Sequence, residues 1–183
     1  MKSEPRPRKK TVFNWKWIVQ VFIVSLILSA AMTIASDAAM ANAGFIVAVI
    51  AIVILIALNV LSDMLGTAVT SAVVDPFVAM ASKKVRGAKQ AIGVIQNAEF
   101  YANLFNDIIG DICGVVSGAA GAAVAIMLSS SEGFLTMSVS SVIVSSMISA
   151  LTVMFKAIAK TFAIQNSQGL VLALGYVLSY FKK

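Results

Sequence analysis

The stretch Gly44–Leu65, GFIVAVIAIVILIALNVLSDML, decides the fold class of this chain. From Gly44 to Leu58 it carries no polar side chain. A helix at the surface of a soluble core is apolar along one stripe; this one is apolar on every face, as a helix immersed in lipid must be. About 20 such residues, rising about 1.5 Å each, cross the hydrocarbon of a bilayer. Polarity enters only towards one end, with Asn59, Ser62 and Asp63, and continues through Thr67, Thr70 and Ser71.

The rest of the chain reads the same way. Of its 183 residues 60% are hydrophobic and only 12% charged, and the mean hydropathy is +0.94. A soluble domain carries about a quarter charged residues, so the surface here faces lipid. The fold class is all-α: a polytopic helical membrane protein in one domain. The predicted transmembrane helices are Trp17–Ala35, Gly44–Leu65, Asn103–Leu128 and Phe134–Phe155. A basic leader (Arg6, Arg8, Lys9, Lys10) precedes the first. That order is shared with secretory signals, but Trp17–Ala35 is long enough to span and is read as a retained anchor.

The basic residues set the expected topology. They lie in the leader, in Lys83–Lys89, at Lys156 and Lys160, and at Lys182–Lys183, with none between. Lysine and arginine mark cytoplasmic loops. One side is shared if the chain crosses twice in each gap, with outer loops at Asp37–Asn42 and Ser129–Gly133. Both termini are then cytoplasmic, in the plasma (inner) membrane. Trp15 and Trp17 suit the interfacial belt. The net charge of +6 follows from this topology and favours anionic lipid, not nucleic acid.

Two cytoplasmic segments remain. Asp75-Pro76 should break the helix after the second span. Phe77–Asn97 then alternates apolar and basic faces, as an interfacial or re-entrant helix does. The tail Thr161–Phe181 is short for a span and reads as a juxtamembrane helix, a fifth span being the alternative.

Cys113 is the single cysteine and there is no histidine, so disulfides, cysteine metal sites and histidine catalysis find no residues here. No Gly-x-Ser-x-Gly elbow or metalloprotease motif occurs, and the chain is not read as an enzyme. What stands out is acid within apolar sequence: Asp63, Asp107 and Asp111. Intramembrane acids usually face a bundle interior or water path and mark ion traffic. Asn103, Asp107 and Asp111 share a helix face, offering the oxygen ligands that Mg²⁺ or Ca²⁺ take. The plain alternative is that they lie wet at the cytoplasmic mouth. Gly110, Gly114, Gly118 and Ala122 form a small-residue stripe for close packing. Ser138, Ser141, Ser145, Ser149 and Thr152 follow one face of the last span, either lining a path or bonding back to their own helix.

Several segments resemble, in order, the membrane domain of the CNNM/CorB/CorC magnesium transporters. Gly66-Thr67-Ala68-Val69-Thr70-Ser71 is similar to a Glu-Thr-Ala-Leu-Thr-Ser type motif that ends its first helix. Gly87–Ala91 and Ile95–Glu99 resemble the hairpin that follows. Ile109–Ile112 with Gly114–Gly121 resembles the next, Gly-Asn-bearing helix. Phe155–Lys160 and Ala163–Asn166 resemble its Gly-Glu-Ile-Ile-Pro-Lys turn and the Ala-Ile-x-Asn after it. The likeness covers Asn59–Lys183 and departs at three points: Gly66 replaces the motif glutamate, Asp111 the asparagine, and Lys156 stands in the altered turn.

The resemblance implies a homodimeric three-span bundle over 44–183, with residues 1–16 a leader and 17–43 an extra span and outer loop. It also implies a Mg²⁺ site between helices, assigned to Thr67, Thr70, Ser71, Asn106, Asp107, Asp111 and the Gly114 carbonyl. The paired CBS modules of larger relatives do not follow within this sequence, so regulation by ATP is not implied. The expected function is divalent-cation transport. The alternative is a non-transporting accessory or scaffold protein whose buried acids hold helices together.

Overall fold

The computed structural model describes residues 15–40, 44–131 and 137–181, and their regular structure is entirely helical. In chain order the elements are α1 (Trp15–Met40), α2 (Phe45–Ser71), α3 (Asp75–Ser82), α4 (Ala88–Gln96) and α5 (Ala98–Ala102). A π-helical segment (Asn103–Ile109) follows, then α6 (Gly110–Ser131), α7 (Met137–Gln165) and α8 (Ser167–Phe181). Four helices are long and apolar enough to cross a membrane: α1, α2, the continuous run Ala98–Ser129, and α7. The chain is a multi-pass helical membrane protein, as its hydropathy requires.

α2 is the centre, packed against α6, α7 and the π segment, while α6 and α7 pack on each other. Ala48, Ile52 and Ile56 of α2 recur every four residues and meet Ala120 and Val124 of α6. Small residues set the spacing, because lipid supplies no hydrophobic drive between helices and close van der Waals contact must replace it. At Gly121 a methyl group would sit 2.5 Å from Ile148 Cδ1 of α7. α1 lies outside against α6, with no buried side chain in its apolar window. Phe22, Ile46, Val142 and Val153 are exposed, the expected contact with acyl chains.

A second core closes one end of the bundle. Ala68 and Val69 of α2, Phe77 of α3, Ala91 and Val94 of α4, Ala163 of α7 and Val171 of α8 pack together. α8 crosses α4 at a glycine pair. A methyl on Gly175 would strike the Gly87 carbonyl and lie 2.9 Å from Ala91 N, and Gly87 itself has φ +85°. With 15 residues packed on α4 and α2, α8 is the juxtamembrane helix rather than a fifth span.

Several boundaries differ from the sequence expectation. Each span overruns its apolar window, α7 reaching Gln165 because nothing at Phe155–Lys160 stops a helix. The turn that the family likeness placed there is absent: without glycine or proline the stretch stays helical, and the break comes at Asn166. Pro76 opens α3 instead of closing α2, at the first helical turn where its missing N–H costs nothing. Phe77–Asn97 is not one helix but a hairpin, α3 and α4, turned by Lys84 and Gly87 at positive φ. The leader before Trp15, residues 41–43 and 132–136, which hold parts of the two expected outer loops, and Lys182–Lys183 lie outside the described residues.

Candidate functional site: a polar belt between α2, α6 and α7

Asn59, Ser62, Asp63 and Gly66 are spaced i, i+3, i+4, i+7, so they form one face of α2, and all four are buried. Depth follows from helix length. About 20 residues cross about 30 Å, counted from Phe45, the start of α2. The hydrocarbon then ends near Asp63, at the depth of its ion-pair partner Lys156. Asn59 and Thr152 lie one turn deeper.

The π segment shapes this belt. Its wide turn lets the Phe105 carbonyl accept both the Gly110 N–H and the Ser62 hydroxyl, the latter at 2.5 Å. The side chain of Asn106 is thereby laid on Gly66, where any Cβ would overlap its amide. Asn59 occupies the matching hollow on α6: a methyl at Gly110 would stand 3.4 Å from its Oδ1 and one at Gly114 3.5 Å from its Nδ2. The glycine stripe thus makes room for an amide. Asn59 is only 4% exposed, and neither its Oδ1 nor Asn106 Oδ1 receives a hydrogen bond. Buried acceptors without donors are costly, which is why they are rare away from functional sites.

Asp63, 6% exposed, is bridged from α7. Lys160 Nζ lies 3.5 Å from its Oδ2 and Lys156 Nζ 4.0 Å from its Oδ1. The two lysines are one helical turn apart, so both reach a single carboxylate.

Above this ion pair a cavity of about 260 Å³ opens between α6 and α7, with Asn59, Ser117, Ser145, Ser149 and Thr152 on its walls. Ser117 donates to the Gly114 carbonyl at 2.9 Å, Ser145 to Ser141 at 2.7 Å, and Thr152 to Ile148 at 2.7 Å. Each has committed its only proton to its own helix and presents lone pairs to the cavity. Of the serine stripe, Ser145 and Thr152 bond back to their own helix and with Ser149 line the cavity, whereas Ser138 and Ser141 are not on its walls.

No family model, curated protein or solved structure matches this chain. What it does must be argued from the belt.

The seven residues assigned to the ion from sequence do not gather in one place. Asn106 and Gly114 belong to the belt, Asn106 against Gly66 at one end of α2's polar face and Gly114 beside Asn59 at the other. Thr67 and Ser71 are half-buried beyond Asp63, and exposed Thr70 donates to the Thr67 carbonyl at 2.9 Å. Asp107 and Asp111 are exposed on the outside of the bundle. Among the described residues no three His, Cys, Asp or Glu side chains cluster as a metal centre. Asn59, and the reach of Lys156 and Lys160 to Asp63, were not assigned from sequence. The i, i+3, i+4, i+7 pattern from Asn59 to Gly66 was the available signal.

Proposed function

We propose that the protein is a membrane cation transporter whose ion meets Asn59 and the hydroxyl lone pairs of the α6–α7 cavity, with Mg²⁺ as the first candidate cargo. The observation that carries this reading is the buried carbonyl oxygen of Asn59 on the cavity wall, Oδ1, that no donor meets. Oxygen ligands of this kind suit a hard cation, and a transported ion must be held without a deep charge well so that it leaves again. Neutral amide and hydroxyl oxygens satisfy that; Asp63, already paired with two lysines, contributes no free charge.

The wider assignment keeps the sequence topology: plasma (inner) membrane, both termini cytoplasmic, the α3–α4–α8 end inside. Support comes from the described basic residues at that end, Lys83, Lys84, Arg86, Lys89 and Lys160. A homodimer is part of the reading. Asp107 of the π segment and Asp111, Gly118 and Ala122 of α6 are all exposed, a face on which bare lipid would be poor solvent for two carboxylates.

The test is thermal unfolding of the purified protein in detergent across Mg²⁺ concentrations, followed by flux into liposomes. A ligand of the folded state at about 100 times its Kd adds about 2.7 kcal/mol of stability. The wild type should show such a rise and Asn59→Leu should lose it. No shift with Mg²⁺ or other divalent ions would replace this reading with a non-transporting scaffold. That second reading is favoured by one observation, the Asp63 ion pair, which binds α2 to α7 without any ligand.

A further inference from the structure

The turn between α3 and α4 and the face of α8 beside it enclose a second cavity, about 400 Å³, that plays no part in the polar belt. Lys84, Arg86 and Lys89 converge on it, with Gln90 and Ser179. None of the three cations is paired with a carboxylate among the described residues. Positive-inside topology requires charge in this loop but not its convergence on one hollow. Convergence is built by the backbone. Lys84 takes φ +57°, uncommon for a residue with a Cβ, and Gly87 takes φ +85°. The Gly87–Gly175 contact then clamps α8 against the turn, so the cavity has a rigid wall. Gly87 is the N-cap of α4 and supplies no side-chain cap, which adds the positive helix end to the same place.

We propose that this cavity binds the phosphate of an anionic lipid headgroup. Arginine and lysine with backbone N–H groups are the chemistry that recognises phosphate. A lipid rather than a soluble anion is indicated by what lies around the cavity. Val85 beside it, and Tyr176, Val177 and Tyr180 on α8, are exposed, so acyl chains find an apolar shelf where the headgroup is held. Basic pockets at membrane depth are how such headgroups are retained. The site does not depend on cation transport.

The experiment is thermal unfolding of the full chain in neutral detergent, titrated with short-chain phosphatidylglycerol, short-chain phosphatidylcholine or inorganic phosphate. Phosphatidylglycerol alone should raise the unfolding temperature. Replacing Lys84, Arg86 and Lys89 together by glutamine should weaken that effect roughly a hundredfold in lipid concentration, since each basic residue near an anionic surface contributes about a factor of five. All three are exposed, so the lipid-free unfolding temperature should hold. A second variant, with Arg6, Arg8, Lys9 and Lys10 changed to glutamine, should respond like wild type. The proposal is overturned if the triple variant keeps the wild-type response, if the leader variant loses it, or if inorganic phosphate or phosphatidylcholine reproduces it.

Discussion

Lys160 Nζ stands 3.5 Å from Asp63 Oδ2 and so ties the end of α7 to the centre of α2. The two partners are unequally placed: the Asp63 side chain is 8% exposed and that of Lys160 52%. Removing the carboxylate leaves two ammonium groups that water still reaches, whereas removing both lysines strands a buried charge with no partner. Asp63→Ala should therefore cost under about 1 kcal/mol, and Lys156→Ala combined with Lys160→Ala about 3 kcal/mol. Unfolding in detergent reads both, and equal losses would show that the pair is not organised around the carboxylate.

Gly66 is the seat of Asn106, and a Cβ there collides with the amide. Gly66→Ala should destabilise by about 1–3 kcal/mol, the usual cost of overpacking. Adding Asn106→Ala removes the obstacle, so the double variant should be more stable than Gly66→Ala alone. Additive losses would mean that the two residues do not touch.

Asn59 carries a stability cost if its oxygen is kept for a ligand. Asn59→Leu removes a buried unpartnered acceptor and should raise ligand-free stability by about 1 kcal/mol while abolishing the response to Mg²⁺. A variant that is less stable and still responds would place the ion elsewhere.

Gly175 meets backbone atoms of Gly87 and Ala91, which cannot swing aside as a side chain can. Gly175→Ala should lift α8 from α4, seen as faster amide exchange over residues 167–181 with the spans unchanged. Unaltered protection would show that the crossing tolerates a methyl group.

Hydropathy and the positions of lysine and arginine were enough to derive the four spans, the juxtamembrane character of the tail and the polar end of α2. These are local properties: a residue's transfer into lipid depends on its own side chain and its near neighbours in the helix. The stripe Asn59, Ser62, Asp63, Gly66 was equally legible, because helical periodicity depends only on spacing.

Which polar groups meet across the bundle is a different kind of fact. Asp107 and Asp111 look like Asp63 in sequence, each an acid in apolar surroundings, yet Asp63 is buried against two lysines and the other two are exposed. The difference lies in the rotation of α6 about its axis, which the π turn at Asn103–Ile109 changes by holding an extra residue in the helix. Lys156 and Lys160 reach Asp63 from nearly a hundred positions away because α7 packs on α2 at that register. Sequence alone determined what must lie in the membrane; only the packing of α2, α6 and α7 decided which buried oxygens were left without donors, since hydrogen bonds between helices depend on rotation and register that no single helix encodes.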